Sequence, residues 1–362
     1  MAKPLKLGLM GFGTIGSGVV QALRDNADLL DGRCPRRLDL RWVADVRPER
    51  LRLVELDSAR LTTNADDVVG DADLDVVIEL IGGIEPARTL VEQALLSGKH
   101  VVTANKAVLA QHGAELLDVA ARKEVRLLFE AAVGGGVPVV RGLCECLAAN
   151  RITRIEGILN GTCNYILSAM AAGHLSYDEA LAEAKNLGYA EADSTADVEG
   201  IDAANKIAIL ASLAFGYDIR YGDVYREGIG AITQSDMSRA AQEDIVIKQC
   251  ALAELLEQDC VAISVRPTLL SAKPGVSGHP LARIDGVNNG VIISGQPIGS
   301  VLFAGPGAGP KPTASAVLSD LMWLAQFDQE QDRKAPPPFL TIPTGRRPKI
   351  CSDPRADPLK HG

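Results

Sequence analysis

The chain has 362 residues, 47% hydrophobic and 23% charged, with a formal net charge of −9. That length exceeds one typical hydrophobic core, so two domains are expected. The acidic surplus argues against nucleic-acid backbone or an anionic membrane surface as a partner. No apolar run is long enough to span a membrane, and the opening Met-Ala-Lys-Pro-Leu-Lys lacks the apolar core and cleavage site of a signal peptide. The seven cysteines, at 34, 144, 146, 163, 250, 260 and 351, are scattered and form no CxxC pair. They suit a reducing cytoplasm, with neither a disulfide framework nor a zinc site.

In chain order, Lys6–Met10 reads as a short buried strand, followed at once by Gly11-Phe12-Gly13-Thr14-Ile15-Gly16 and a helix from Ser17 to about Arg24. This is the setting a dinucleotide fingerprint needs. Gly11 makes the tight turn, Gly13 lets backbone approach a pyrophosphate, and Gly16 lets helix pack on strand. The free N–H groups at the helix start supply positive charge for phosphates. Leu38–Val46 is a second strand ending near Asp45, where an acid binds a ribose 2′-hydroxyl and repels a 2′-phosphate. Arg47, two residues on, is placed to accept that phosphate instead, and the spacing from Gly16 exceeds the usual ~20 residues. The balance leans to NAD over NADP. Strands at Asp75–Leu80, Lys99–Thr103 and Val125–Ala131 alternate with helices at Pro86–Ser97 and Ala107–Arg122. That alternation indicates an α/β, doubly wound, Rossmann-type parallel sheet. Ligands bind such sheets at the carboxyl ends of the strands, which places Gly82, Thr103, Lys106 and the Glu130–Gly136 turn at the crevice.

After Pro138 the pattern becomes that of a second, α+β domain. Arg154–Leu159 is a strand, Thr162–Ala171 a helix, and Ser176-Tyr-Asp-Glu179 a capping box opening a helix that closes at Gly188. Asp244–Leu256 reads as a rather apolar helix, Val261–Arg266 and Gly290–Ser294 as short strands, and Thr313–Gln326 as the last helix. Pro336-Pro-Pro338 lies in a proline-rich stretch that reads as a disordered or surface-wrapped tail. The expected division is 1–137 for the dinucleotide-binding domain and 138–304 for a substrate-binding and dimerisation domain. Residues 305–330 return to the nucleotide domain, and 331–362 form the tail.

One stretch says more than the rest. The run Val198–Phe215 has helical composition, and Asp202 and Lys206 lie one turn apart on the same face as Ile209, Leu210 and Leu213. An unpaired charge on an apolar helix face costs several kcal/mol, so the two must pair, contact a ligand, or both. An ordinary i,i+4 surface pair is the plain alternative. The acid-rich loop before the helix favours the wall of an active site.

With these residues in hand the chain resembles the homoserine dehydrogenases from about residue 5 to 326. The motifs that carry the resemblance are Gly11–Gly16, Glu79-Leu-Ile-Gly-Gly83, Thr103-Ala-Asn-Lys106 and Glu130-Ala-Ala-Val-Gly-Gly-Gly-Val-Pro138. They continue in the family's order with Asn160-Gly-Thr-Cys-Asn-Tyr-Ile-Leu167, Leu187-Gly-Tyr-Ala-Glu-Ala-Asp193, Gly200-Ile-Asp-Ala-Ala-Asn-Lys206, Glu227-Gly-Ile229 and Gly305–Ala316. The resemblance implies reversible NAD(P)-dependent oxidation of L-homoserine to L-aspartate 4-semialdehyde, feeding threonine, methionine and isoleucine synthesis. It implies Lys206 as general acid/base, Asp202 as its orienting acid and Lys106 as a second active-site lysine. It further implies Glu191 as the acid on the substrate ammonium, with Asp197, Asn160, Gly161, Thr162 and Tyr189 around the substrate. Gly188, Gly305 and Gly307 would approach the cofactor. Glu130, Val133, Gly135 and Val137 would hold a monovalent cation, Na+, mainly through backbone carbonyls; a plain hinge is the alternative reading of that turn. A homodimer is carried over from the family. Many members bear a C-terminal regulatory domain, and feedback by threonine through such a domain is not expected here.

Three rival readings remain open on the residues. Cys163, opening a helix, suits a thiolate nucleophile of an acylating semialdehyde dehydrogenase, although no histidine lies near it in sequence. Another amino-acid dehydrogenase on the same fold, such as one oxidising aspartate at its amine, is closer. A non-catalytic nucleotide sensor would be expected to lack the acid–lysine pair, which is intact.

Overall fold

The computed structural model describes residues 3–52, 59–173, 175–257, 259–326 and 342–352. It divides into two compact units, one of residues 1–145 with 309–345, the other of 146–308 with 346–362.

The first unit is built on β1 (Leu5–Met10), β2 (Leu38–Ala44), β3 (Arg60–Thr62), β4 (Val76–Glu79), β5 (His100–Thr103) and β6 (Leu127–Leu128). They form one sheet in the order β3-β2-β1-β4-β5-β6, with every pairing parallel. The order reverses beside β1, the switch point at which such sheets open a crevice. Leu5, Leu7, Leu9, Val76, Val77 and Ile78 are wholly buried, as expected of parallel strands covered on both faces. Helix Thr14–Asp25 packs against helix Pro310–Ala325, with Val19, Val317 and Leu321 in the shared core. Gly18 permits that approach, because a Cβ there would lie 3.0 Å from the Pro310 carbonyl oxygen.

The second unit contains β7 (Arg151–Ile158), β8 (Tyr225–Arg226), β9 (Ile245–Leu255), β10 (Cys260–Ser271), β11 (Asn288–Gln296), β12 (Gly299–Pro306) and β13 (Lys349–Cys351). Its sheet runs β12-β11-β7-β9-β10-β13, with β8 also pairing β10. The stretch Asp244–Leu256 is therefore not a helix. It holds β9, which pairs antiparallel with both β7 and β10. Residues Ile247–Ala253 are buried without interruption, so the alternation that marks a half-buried strand is missing and length alone suggested a helix. Helix Ile201–Phe215 lies against β7, β9 and β10, bounded by Gly200 and Gly216 at φ 74° and 68°. Both are left-handed positions that favour glycine. The predicted capping box at Ser176 and Glu179 is present.

The C-terminal region shows part of the tail laid against the fold and corrects the expectation that the cysteines form no disulfide. Residues 342–352 are ordered into contacts: Ile342 is buried, Thr344 Oγ1 donates to the Ala114 carbonyl, and Arg347 pairs with Asp223 at 2.6 Å. Pro336–Pro338 and residues 353–362 lie outside the described residues. β13 pairs in parallel with β10, and Cys351 is joined to Cys260 in a disulfide. The two cysteines lie 91 residues apart, so spacing alone gave no hint of the pair.

Glu156 on β7 sits among charges, 2.9 Å from Arg154 and 3.4 Å from His279. Burial alone would raise its carboxyl, but hydrogen bonds from His279 and Arg154 outweigh it and hold the pKa at about 2. A carboxyl depressed on folding contributes stability above its unfolded value and loses it as pH falls toward the folded one. Urea unfolding should accordingly show wild type about 3 kcal/mol more stable than Glu156→Gln at pH 7. The gap should shrink as pH drops from ~4.5 toward 2. A gap independent of pH would show that the charge does not carry the effect.

Candidate active site

Within the second unit, the fold draws together side chains from four places in the sequence. Lys206 Nζ donates to Asp202 Oδ2 at 2.7 Å and to the Leu159 carbonyl at 2.7 Å. The Asn160 amide nitrogen donates to the same Asp202 oxygen at 2.9 Å and to Asp197 Oδ1 at 2.6 Å. Lys206 and Asp202 are 7% and 8% exposed, so this is a nearly dry ion pair rather than a surface one. Such a pair persists only when further hydrogen bonds replace lost water, and Leu159 and Asn160 supply them. The predicted substrate residues sit close by in sequence. Asn160 Oδ1 caps the start of helix Gly161–Gly173 by accepting from the Cys163 N–H. Thr162 Oγ1 donates to the Tyr189 carbonyl at 2.7 Å, and the Tyr189 ring meets Tyr165 edge-on. Gly161 is required by a close approach, since a Cβ there would lie 2.6 Å from the Val287 carbonyl oxygen. Glu191 is exposed on the turn that follows Gly188, whose φ is 75°.

In the first unit the glycine turn follows β1 directly. Gly11 has φ 96°, and a Cβ there would stand 2.5 Å from the Leu80 carbonyl oxygen. A Cβ on Gly16 would run into the Gly11 carbonyl. Helix Thr14–Asp25 opens at this turn with Gly13 as its cap, leaving its first N–H groups for an anion. Asp45, just past β2, is 7% exposed. Its carboxylate accepts from the Phe12 N–H at 2.8 Å and the Arg47 N–H at 2.9 Å, and Arg50 lies 3.3 Å away. At the ends of β4 and β5 the wholly buried Glu79 accepts from the Thr103 hydroxyl at 2.6 Å and the Ile81 N–H at 2.8 Å. Asn105 caps helix Lys106–Arg122 and donates to the Gly83 carbonyl at 2.7 Å. Lys106, half-buried, is the first residue of that helix, and Gly82 is exposed at φ 82°.

The Glu130–Val137 turn is glycine-rich for a stated reason: Gly134 and Gly135 take φ 77° and 53°. The Glu130 carboxylate accepts from the Val140 and Arg141 N–H groups at 3.0 and 2.7 Å. Burial nevertheless raises its pKa.

These two sites match known proteins over most of the chain. The family model described as "Homoserine dehydrogenase, NAD binding domain" matches residues 11–130, and the model "Homoserine dehydrogenase" matches 138–322. The homoserine dehydrogenase of Synechocystis is 46% identical over 323 residues, covering 88% of this chain and 72% of that protein. The Bacillus subtilis homoserine dehydrogenase is 44% identical over 322 residues, with the same coverage of 88% and 72%. The chain belongs to the homoserine dehydrogenase family. A crystal structure of a homoserine dehydrogenase from Thiobacillus denitrificans superposes with a TM-score of 0.90 at 40% identity, covering 96% of this chain and 80% of that one.

Against this family background, some polar groups escaped the sequence reading. Asn289 is a buried side chain of β11 outside every family motif, Glu79 and Asn105 lie inside such motifs but had no role attached to them, and Arg50 reaches Asp45 from a short helix with no recognisable spacing. Gly305 pairs with Asn289 in the β11–β12 ladder, and Gly307 lies against the Asn289 amide, so both glycines have a packing role inside the second unit. The nucleophile reading of Cys163 fails in this homoserine dehydrogenase fold. Its side chain is wholly buried, its Sγ donates to the Asp197 carbonyl, and burial, then the Asp197 charge, push its pKa well up. A thiol in that state is a poor nucleophile. Among the described residues no helix is long and apolar enough to cross a membrane. Iodoacetamide followed by peptide mass mapping should label the exposed Cys146 and spare Cys163 in the native protein, with turnover retained. Rapid labelling of Cys163 with matching loss of turnover would restore the thiolate reading.

Proposed function

We propose that this chain catalyses reversible hydride transfer between L-homoserine and L-aspartate 4-semialdehyde, with Lys206 as the general acid/base. The observation that carries the assignment is the buried Lys206–Asp202 pair, tied to Leu159 and Asn160. The nicotinamide nucleotide, when bound, supplies the hydride acceptor or donor. The protein's own task is the proton. In the oxidative direction the Lys206 amine takes the hydroxyl proton as the carbonyl forms; in the reductive direction it returns that proton to the developing alkoxide. Asp202 and the Leu159 carbonyl hold the amine by hydrogen bonds of 2.7 Å each before transfer, so it starts from one defined position beside its orienting acid. Asp197 and Asn160 add a second layer. Glu191 takes the substrate ammonium, with Gly161, Thr162 and Tyr189 forming the adjoining wall.

On the nucleotide side, Gly11–Gly16 cradles the pyrophosphate, with Gly82, Thr103 and Lys106 bordering the nicotinamide half. Asp45 selects a free ribose 2′-hydroxyl, which favours NAD. Arg47 and Arg50 moderate its charge enough to leave NADP usable. The monovalent-cation reading of the Glu130–Val137 turn stands on its backbone. The Glu130 carboxylate is already engaged by two N–H groups, so a sodium ion would be held by the carbonyls of Glu130, Val133, Gly135 and Val137, the hard oxygen donors such an ion prefers. The exposed edge strand β12, with Leu302 and nearby Ile298 open to solvent, suits the homodimer expected of the family.

Purified protein with homoserine should reduce NAD+ faster than NADP+, read as absorbance of the reduced cofactor. Lys206→Ala should lose about 10²–10⁴ in kcat while nucleotide affinity stays close to wild type. Silence toward homoserine alongside turnover of aspartate would overturn the substrate. A Lys206→Ala variant keeping more than about a tenth of the rate would move the proton-transfer role to another residue.

A further inference from the structure

Asn289 lies in β11, wholly buried, opposite Gly305. The neighbouring pair Gly290–Ile158 joins β11 to the end of β7, so Asn289 comes level with Leu159, just past that strand. Its amide nitrogen donates to the Leu159 carbonyl at 3.1 Å, and that carbonyl is the one that also accepts from Lys206 Nζ. The opposite orientation of the amide would set its oxygen against the Leu159 oxygen, so the hydrogen bond fixes the orientation. Room for the side chain comes from Gly307: any Cβ there would collide with the Asn289 amide. Among the described residues the Asn289 Oδ1 finds no partner although buried. An unsatisfied buried acceptor costs about 1–3 kcal/mol, so stability alone would favour an apolar side chain of the same size.

We propose that Asn289 is a positioning residue for Lys206, holding the Leu159 carbonyl in place and keeping it hydrogen-bonded when the amine turns to the substrate. The carbonyl has two lone pairs, one for each donor. When Lys206 releases it to handle the substrate proton, the Asn289 N–H remains, and the buried oxygen is never stripped of donors. Leaving it bare would penalise the reacting arrangement. The same bond fixes the Leu159–Asn160 peptide, and Asn160 in turn holds Asp202 and Asp197. Neither Asn289 nor Gly307 touches substrate in this account; both act through Leu159.

The inference rests on Lys206 being the acid/base group, and a double-mutant cycle separates the two ideas. With homoserine and NAD+, Asn289→Leu should lower kcat about tenfold or more, as misplacement of a reacting group does. The KM for NAD+ and the thermal midpoint should hold or, for the midpoint, rise. In a Lys206→Ala background the same change should cost less than about twofold, because the group being positioned is gone. Should Asn289→Leu fail to fold, Asn289→Ala, which only removes atoms, carries the same expectations for kcat and for the KM of NAD+, with a lowered thermal midpoint from the cavity it leaves. A kcat within about twofold of wild type, or an equal loss in both backgrounds, would overturn the positioning role. Failure of wild type to oxidise homoserine would overturn the functional assignment itself.

Discussion

An ammonium group and a carboxylate out of water on one helix face constrain the rest of the second unit. Lys206 and Asp202 are less than a tenth exposed, and taking two such charges out of water costs several kcal/mol each before any attraction is counted. The fold meets that cost with directed hydrogen bonds from backbone and amides. The end of β7 delivers the Leu159 carbonyl and the Asn160 amide to the pair, and β11 delivers Asn289 behind them. Glycines at 161, 200 and 307 let backbone and side chains come close enough for this: each would place a Cβ against a neighbour's atoms. Packing and chemistry are thus the same set of constraints.

The first unit solves a different problem, holding several loop ends open at one edge of a parallel sheet. Glu79 does so with a single buried carboxylate, gathering the ends of β4 and β5 through Ile81 and Thr103. Asp45 ties the glycine turn after β1 to the loop after β2 by accepting from Phe12 and Arg47. Both acids act on backbone N–H groups at the crevice, which leaves the helix start behind Gly13 for an anionic ligand.

Much of this was legible in the sequence. The glycine turn after an apolar strand, the alternation of strand and helix, and the acid–lysine spacing on helix Ile201–Phe215 each reflect a local rule, and local rules survive in one dimension. What escaped was non-local. β9 is buried on both faces, so its pattern does not alternate, and its apolar length imitates a helix. β12 is an edge strand of alternating exposure with glycine at its start and proline at its end, which reads as loop. Asn289 sits in Asn-Asn-Gly, a turn-like triplet whose amide is meaningful only once β11 lies beside β7. The Cys260–Cys351 pair depends on the chain returning to the edge of β10.

The central claim is that the Lys206 amine, held by Asp202 and the Leu159 carbonyl, meets the alcohol whose proton it carries. A crystal structure of the ternary complex with NAD+ and L-homoserine tests this most directly. The account predicts the substrate hydroxyl about 3 Å from Lys206 Nζ, with the Asp202 hydrogen bond retained. A hydroxyl bonded instead to another side chain, with the Lys206 amine too far away to reach it even through one water, would contradict it.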